Sequence, residues 1–399
     1  MIESMNTTPK ASRLHIGIFG RRNAGKSSLI NALTKQNVAL VSSTAGTTTD
    51  PVFKAMELLP IGPVVIIDTA GLDDEGELGE MRVERTFQVL NSTDLALLVI
   101  DSEIGVGQPE TEAIQKIKDK KIPVIGILNK SDIKKHTIDA RREWQKMLGA
   151  ELIEVSALTG EGITELLMAI IRKAPEENTM PSLVEGLVSS GEVAVLVVPI
   201  DKAAPKGRLI LPQQQVIRDL LDKGAIAVIT RQHELKKTLD SLNKPPVIVI
   251  TDSQEFKKVE ELTPESIPLT SFSILLARQK GDLEELKKGV EAIDKLLPGD
   301  RVLIAEACTH HRQDEDIGTV KIPRWLNERV GGELSYQWAS GMSFPSDISR
   351  FKLIVHCGAC MINRREMMYR ISIAKEKGIP IVNYGLLIAH LTAKRGVKL

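Results

Sequence analysis

Between Leu14 and about Lys173, short apolar runs rich in β-branched residues alternate with longer stretches of helical spacing. The runs are HIGIFG from His15, VVIID from Val64, LALLVID from Leu95, PVIGILN from Pro123 and LIEVSA from Leu152. This alternation predicts a parallel sheet flanked by helices, in a first domain over residues 1–174. The polar segment APEENTMPS from Ala174 carries two prolines and no periodicity, which predicts a linker over residues 175–183. A second α/β domain, residues 184–262, is read from VAVLVVPI at Val193, the helical QQQVIRDLLDKG at Gln213, AIAVIT at Ala225, a charged helix near His233 to Leu242, and PPVIVIT at Pro245. It shows no phosphate loop and no catalytic constellation, so it reads as a structural or oligomerisation module. In the third domain, residues 263–399, RVLIAEA from Arg301 and FKLIV from Phe351 predict strands, and IPIVNYG from Ile379 predicts one more. No internal repeat or low-complexity segment interrupts this α/β pattern.

Composition narrows the partners. The 399 residues suit two or three domains, and Lys+Arg and Asp+Glu both number 52, which leaves no global field to recruit nucleic acid or an anionic membrane. Aromatic residues are only 3%, few for stacking on single-stranded RNA. The N-terminal sequence lacks the charged start, apolar run and cleavage site of a signal peptide, and no stretch reaches about 18 apolar residues. The expectation is a soluble, cytoplasmic protein without a membrane or nucleic-acid partner. In a reducing compartment, an odd number of cysteines argues for metal or redox chemistry and against a disulfide framework.

Gly20-Arg21-Arg22-Asn23-Ala24-Gly25-Lys26-Ser27 matches G-x-x-x-x-G-K-[ST] and stands between a predicted strand and the predicted helix SSLINALT from Ser27. Glycines such as Gly20 and Gly25 let backbone N–H groups wrap phosphates at a helix N-terminus, where Ser28 also falls. Lys26 is placed to reach the β- and γ-phosphates and Ser27 the Mg²⁺. Asp68-Thr69-Ala70-Gly71 closes a strand with a carboxylate for the magnesium side and a glycine amide for the γ-phosphate. Asn129-Lys130-Ser131-Asp132 closes another, and the Asp132 carboxylate can accept from both guanine N1–H and the 2-amino group, which selects GTP. Ser156-Ala157 supplies the loop for the other edge of the base. The switch threonine touching Mg²⁺ is expected to be Thr48, with Thr47 its neighbour in competition. The set resembles the translation-factor-related bacterial GTPases. GRRNAGKSS with TAGTTTD from Thr44 points to the subgroup of tRNA-modification and ribosome-assembly GTPases. That resemblance implies a K⁺ ion at Asn23 that assists hydrolysis. Leu72 stands where Ras-like proteins carry a water-orienting glutamine, so hydrolysis is expected to be slow unless K⁺ or another group compensates.

All three cysteines lie in the last quarter of the chain: Cys308 within C-T-H-H, and Cys357 and Cys360 within H-C-G-A-C. Each cluster follows a predicted strand, and if those strands are neighbours the cysteines can meet at the carboxyl ends of a sheet. Three thiolates suit a 4Fe-4S cluster with one iron left for another ligand, for which His310, His356, Glu306 or a small external molecule are candidates. A closed Cys₃His zinc site and three unrelated buried cysteines are the alternatives at this point. His311 reads as a surface residue or one behind the ligands, and His136, His233 and His390 have no ligand partner nearby in sequence.

A phosphate-loop GTPase, a middle α/β segment, and C-x-H followed by H-C-x-x-C are together similar to the HydF family, the maturation GTPases of di-iron (FeFe) hydrogenases. The resemblance runs from about Leu14 to the end and falls on Cys308, His310, His356, Cys357 and Cys360. It implies GTP-binding, dimerisation and cluster-binding domains, a 4Fe-4S cluster on the three cysteines, and a scaffold or carrier for the transient di-iron precursor. His310 and His356 become candidates for the fourth ligand or for support behind the ligands. The implied partners are the FeFe-hydrogenase apoprotein, the radical-SAM maturases of the same pathway and a second copy in a homodimer. The competing expectation is an RNA-directed GTPase of ribosome assembly or tRNA modification with a structural zinc module. Neutral charge, sparse aromatics and the absence of a clear RNA-binding segment weigh against it, and the short basic tail Lys394-Arg395 is too small to reverse that.

Overall fold

A computed structural model describes residues 8–37, 51–74, 76–175, 181–199, 209–307, 316–341, 343–345 and 347–394. The chain forms two compact units, Met1–Thr179 and Met180–Leu399. Residues 176–180 of the expected linker lie outside the described residues.

The first unit is built on β1 (Leu14–Gly20), β2 (Val52–Leu58), β3 (Gly62–Asp68), β4 (Leu95–Asp101), β5 (Val124–Asn129) and β6 (Glu151–Glu154). Their order is β2-β3-β1-β4-β5-β6, with β2 antiparallel on the edge and the other pairs parallel. Both faces of the central strands are covered, which is why their sequences are apolar at consecutive positions. Ile16 and Ile18 pack with Leu29, Leu33, Leu166 and Ile170 on one side. Phe19 and Val65 pack with Leu90, Ile114 and Ile117 on the other.

The second unit holds two parallel sheets. The first comprises β7 (Val193–Val197), β8 (Ile226–Thr230), β9 (Ile248–Thr251) and β10 (Leu269–Ser271), in the order β10-β9-β7-β8. The other comprises β11 (Arg301–Glu306), β12 (Ser335–Ser340), β13 (Leu353–His356) and β14 (Ile381–Asn383), in the order β12-β11-β13-β14. One continuous apolar core joins them, since Val195 and Val249 pack in the same cluster as Leu303 and Val355. The helix Phe272–Lys280 is buried on more than one face because it serves two cores. Its Ile274 and Ala277 face the shared core, while Phe272, Leu275 and Leu276 face the cluster on the far side of the first of these sheets.

The α/β class expected from the sequence holds in all three sheets. Three strands had no sequence expectation: β2, β10 and β12. Residues 269–271, expected in the third domain, pair with β9 and complete the preceding sheet instead. Leu-Thr-Ser is too short and too polar to register as a strand by pattern, and only its ladder with Val249–Thr251 defines it.

Candidate nucleotide and cysteine sites

The nucleotide motifs converge at the carboxyl ends of β1, β3 and β5 and in the loop after β6, because those strands run parallel. Gly25 has φ of +90°, and a Cβ there would lie 2.2 Å from Asn129 Nδ2, so both backbone and space demand glycine. Asn129 links three segments at once. Its Nδ2 donates to the Ala24 carbonyl at 2.9 Å, and its Oδ1 accepts from the Ala157 N–H at 3.0 Å. The phosphate loop and the Ser156-Ala157 loop are thereby fixed to the end of β5. Asn23 adopts φ of +59° on the exposed side of the loop.

Lys26 Nζ donates to the carbonyls of Gly20 at 2.9 Å and Arg21 at 2.8 Å, folded back along the loop it serves. Burial lowers its pKa, against the opposing pull of Asp68, Asp73 and Asp74. Ser27 Oγ donates to Asp68 Oδ2 at 3.1 Å, which unites the two oxygen donors expected for Mg²⁺; hard oxygen ligands of this kind fit that ion. Ser28 is exposed in the first turn of the helix Lys26–Asn37. Gly71 is buried against the loop, and the following Leu72 N–H donates to the Gly20 carbonyl at 3.2 Å. The Leu72 side chain packs into the core with Phe19 and Ile67, so it holds the loop and orients no water. Lys130, at φ of +68°, pairs with Asp101 Oδ2 at 2.5 Å, and Asp132 is exposed beyond it. Ser156 is buried, and its Oγ accepts from the Thr159 N–H at 3.1 Å. Thr47 and Thr48 lie outside the described residues.

Two features of this site were not anticipated. Arg21 makes a two-point contact with the buried Glu110, at 2.7 and 2.8 Å, fastening the phosphate loop to the helix Gln108–Asp119. Asp73 Oδ1 accepts from the Arg22 N–H at 2.6 Å. An arginine inside a phosphate loop hints at a nearby carboxylate, but nothing in the sequence says which of many acids answers it.

The cysteine segments follow β11 and β13, which are adjacent and parallel, with Ala305 opposite His356. Strand order reverses about β11, whose chain successor β12 lies on one side and β13 on the other, so the carboxyl ends form the crevice where such sheets bind ligands. The Cys357 N–H donates to the Ala305 carbonyl at 2.9 Å, and the Ala307 N–H donates to Cys357 Sγ at 3.1 Å. The residue just before Cys308 therefore touches the Cys357 sulfur. Cys360 packs beside the core formed by Leu275 and Leu276, and burial raises its pKa while Lys280 opposes that rise. Burial likewise lowers Lys280 to about 8, against the two thiols. Glu306 is buried and accepts from Tyr384 Oη at 3.3 Å.

His356 is 0% exposed and both its ring nitrogens are engaged. Nε2 lies 3.1 Å from Arg370 Nη1, which can only donate, so the proton sits on Nδ1 and is donated to the Cys357 carbonyl at 2.8 Å. Burial and the neighbouring guanidinium push its pKa down to about 3, which keeps it neutral. Arg370 is itself held by Glu366 at 2.9 Å and by the Gly341 carbonyl at 2.7 Å. Cys308, His310 and His311 lie outside the described residues, and among the described residues no three His, Cys, Asp or Glu side chains form a metal-holding group. The thiols of one C-x-x-C loop, with a backbone amide already donating to one sulfur, fit the donor chemistry of an iron-sulfur cluster.

Residues 183–281 match the model of the hydrogen maturase F dimerization domain, and residues 284–398 match that of the hydrogen maturase F tetramerization domain. These matches together span more than half of the chain. The chain belongs to the hydrogen maturase F family. Residues 15–130 match the model of a 50S ribosome-binding GTPase, so this family member carries a GTPase domain for GTP and Mg²⁺ in its first unit. The tRNA modification GTPase MnmE of Desulforamulus reducens is 36% identical over 174 residues, 43% of this chain and 35% of that protein. GTPase Der of Treponema pallidum is 30% identical over 190 residues, 45% and 41% of the two chains. The chain thus spans well under half the length of these curated relatives. A crystal structure of Era from Aquifex aeolicus aligns with 62% of this chain and 97% of its own, at 21% identity and a TM-score of 0.36. The two hydrogen maturase F domain descriptions point to an oligomer, including a tetrameric step where the sequence suggested a homodimer.

Proposed function

We propose that this chain is a GTP-hydrolysing scaffold that holds a 4Fe-4S cluster on Cys308, Cys357 and Cys360. It assembles or delivers the di-iron precursor of the FeFe-hydrogenase active site. The observation that supports this reading is the pairing of β11 with β13 in a hydrogen maturase F chain, since these neighbouring strands are the ones that lead into Cys308 and Cys357. When bound, such a cluster supplies an iron whose fourth position no cysteine of this chain fills. His310 and Glu306 are candidates for that position. His356, with both nitrogens taken, supports the Cys357 backbone from behind.

In the first unit Lys26 holds the β- and γ-phosphates, Ser27, Thr48 and Asp68 the Mg²⁺ side, and Asp132 the guanine. Asn23 takes K⁺, which compensates for the lack of a water-orienting group at Leu72. The γ-phosphate orders the loops around Thr48 and Gly71, and their release on hydrolysis acts as the switch toward partners. Those partners are the hydrogenase apoprotein and the radical-SAM maturases, in the cytoplasm. The RNA-directed reading with a structural zinc draws on likeness to MnmE and Der, while the hydrogen maturase F matches account for residues 183–281 and 284–398. Purification without oxygen followed by reconstitution separates the two. Iron and acid-labile sulfide with broad visible absorption are expected, and stoichiometric zinc without iron would overturn the cluster.

Self-association is assigned to β8. It is the outer strand of its sheet, and Ile226 and Ile229 are 51% and 49% exposed on it. An apolar edge strand invites pairing with a second copy, and a charge placed there opposes it. Ile229→Lys is expected to shift the dimer toward monomer in sedimentation velocity without changing GTP hydrolysis, whereas an unchanged dimer would move the interface elsewhere.

A further inference from the structure

Lys280 ends the helix Phe272–Lys280 and is 1% exposed, yet among the described residues no carboxylate pairs with it: its Nζ donates to the carbonyls of Ala359 at 2.9 Å, Cys360 at 3.3 Å and Ile362 at 2.9 Å. A buried ammonium is costly unless its donors are met, and here all three go to the loop that carries the C-x-x-C pair. That loop has an unusual backbone. Ala359 is a buried non-glycine residue at φ of +56°, a conformation that persists only where the surroundings impose it. The same helix approaches the loop at a second point, since a Cβ on Gly358 would lie 3.3 Å from Ser273 Oγ. Arg364, just beyond the loop, donates to the Gln279 carbonyl. The bond to the Cys360 carbonyl sets the ammonium against the backbone of one of the two thiol residues themselves.

We propose that Lys280 is a positioning residue of the cysteine site: its three hydrogen bonds fix the Cys357–Cys360 loop in the conformation that presents both sulfurs, and its charge balances the thiolates. This rests on the cluster reading above. Its consequence is that the loop is completed from outside its own domain. Lys280 belongs to the segment matching the dimerization model, and the loop belongs to the one matching the tetramerization model. A change in the helix Phe272–Lys280, which also packs against the sheet carrying β8, therefore reaches the thiolates through one side chain.

Two substitutions in the full-length, reconstituted protein separate the parts of this proposal. Lys280→Met removes donors and charge at similar length, and Lys280→Gln keeps a donor but removes the charge. Iron release to a chelator is expected to be several-fold faster in the Met variant, and the cluster reduction potential is expected to move negative in both, because net charge sets such potentials. GTP hydrolysis and near-ultraviolet circular dichroism serve as controls for the fold. A Met variant with native release kinetics overturns the positioning role, and a Gln variant at the native potential overturns the charge role. If the Met variant does not fold, both readouts pass to Gln, which is expected to lose iron faster because one amide group cannot meet three carbonyls. A native protein that holds zinc and no iron instead defeats the cluster reading, and zinc release from the same variants then decides the positioning role alone.

Discussion

Asp132→Asn is expected to weaken GTP binding by about 30- to 1,000-fold and to make xanthosine triphosphate the better substrate. The carboxylate offers acceptors to both guanine N1–H and the 2-amino group. Hydrogen bonds to a charged group contribute roughly 1.5–3 kcal/mol each, so losing one and weakening the other costs about 2–4 kcal/mol. Asparagine keeps one acceptor and turns an amide N–H toward the position of the 2-amino group, where two donors then face each other. Xanthine carries an oxygen at that position and accepts from the new N–H. The fold is expected to tolerate the change, because Asp132 is exposed while the loop is anchored by Asn129 through Ala24 and Ala157 and by Lys130 through Asp101. Titration with fluorescent GTP and xanthosine analogues, followed by hydrolysis assays with each, gives the ratio directly. Unchanged selectivity would remove Asp132 from the base site.

The nucleotide site was legible because its chemistry is local in sequence. Gly20 to Ser27 carries its glycines, lysine and serine in one turn, and each later motif closes an apolar run that the strand pattern already marks. The second site was half legible. The runs at Arg301 and Phe351 indicated two strands, but their adjacency is a property of the sheet order and appears only in the Ala305 and His356 register. The supporting residues were not legible at all. Nothing in L-A-R-Q-K-G marks Lys280 as buried, and what meets its ammonium is a loop some 80 positions further along the chain, at Ala359, Cys360 and Ile362. His356 shows the converse. Next to Cys357 in sequence it suggested a ligand, yet successive side chains along a strand point to opposite faces, and His356 turns inward to Arg370. Polar strands such as Ser335–Ser340 escaped for a related reason. Five of its six residues, Ser335, Tyr336, Gln337, Trp338 and Ser340, are exposed or only partly buried on the edge, so no apolar run marks it.

Cys357→Ser is expected to lower iron retention by about tenfold or more and to leave GTP hydrolysis within about twofold of native, effects on the scale seen when metal-site residues are lost. A serine hydroxyl is not ionised near neutral pH and is a poor ligand for iron, whereas a thiolate is the usual one. The substitution is nearly isosteric, and the hydroxyl oxygen can still accept the Ala307 N–H that now reaches Sγ at 3.1 Å. The backbone bond from the Cys357 N–H to the Ala305 carbonyl does not involve the side chain, so β11 and β13 stay paired. The nucleotide residues belong to the other compact unit, where Asn129 bonds to Ala24 and Ser27 to Asp68. Iron and sulfide content after anaerobic reconstitution, the GTP hydrolysis rate and hydrogenase activation by the same preparation are to be measured together. Loss of iron and of hydrogenase activation with hydrolysis intact is the expected pattern. A parallel fall in hydrolysis would mean that the cysteine loop and the phosphate loop depend on one another, contrary to two separately built sites, and retained iron would move the cluster off Cys357.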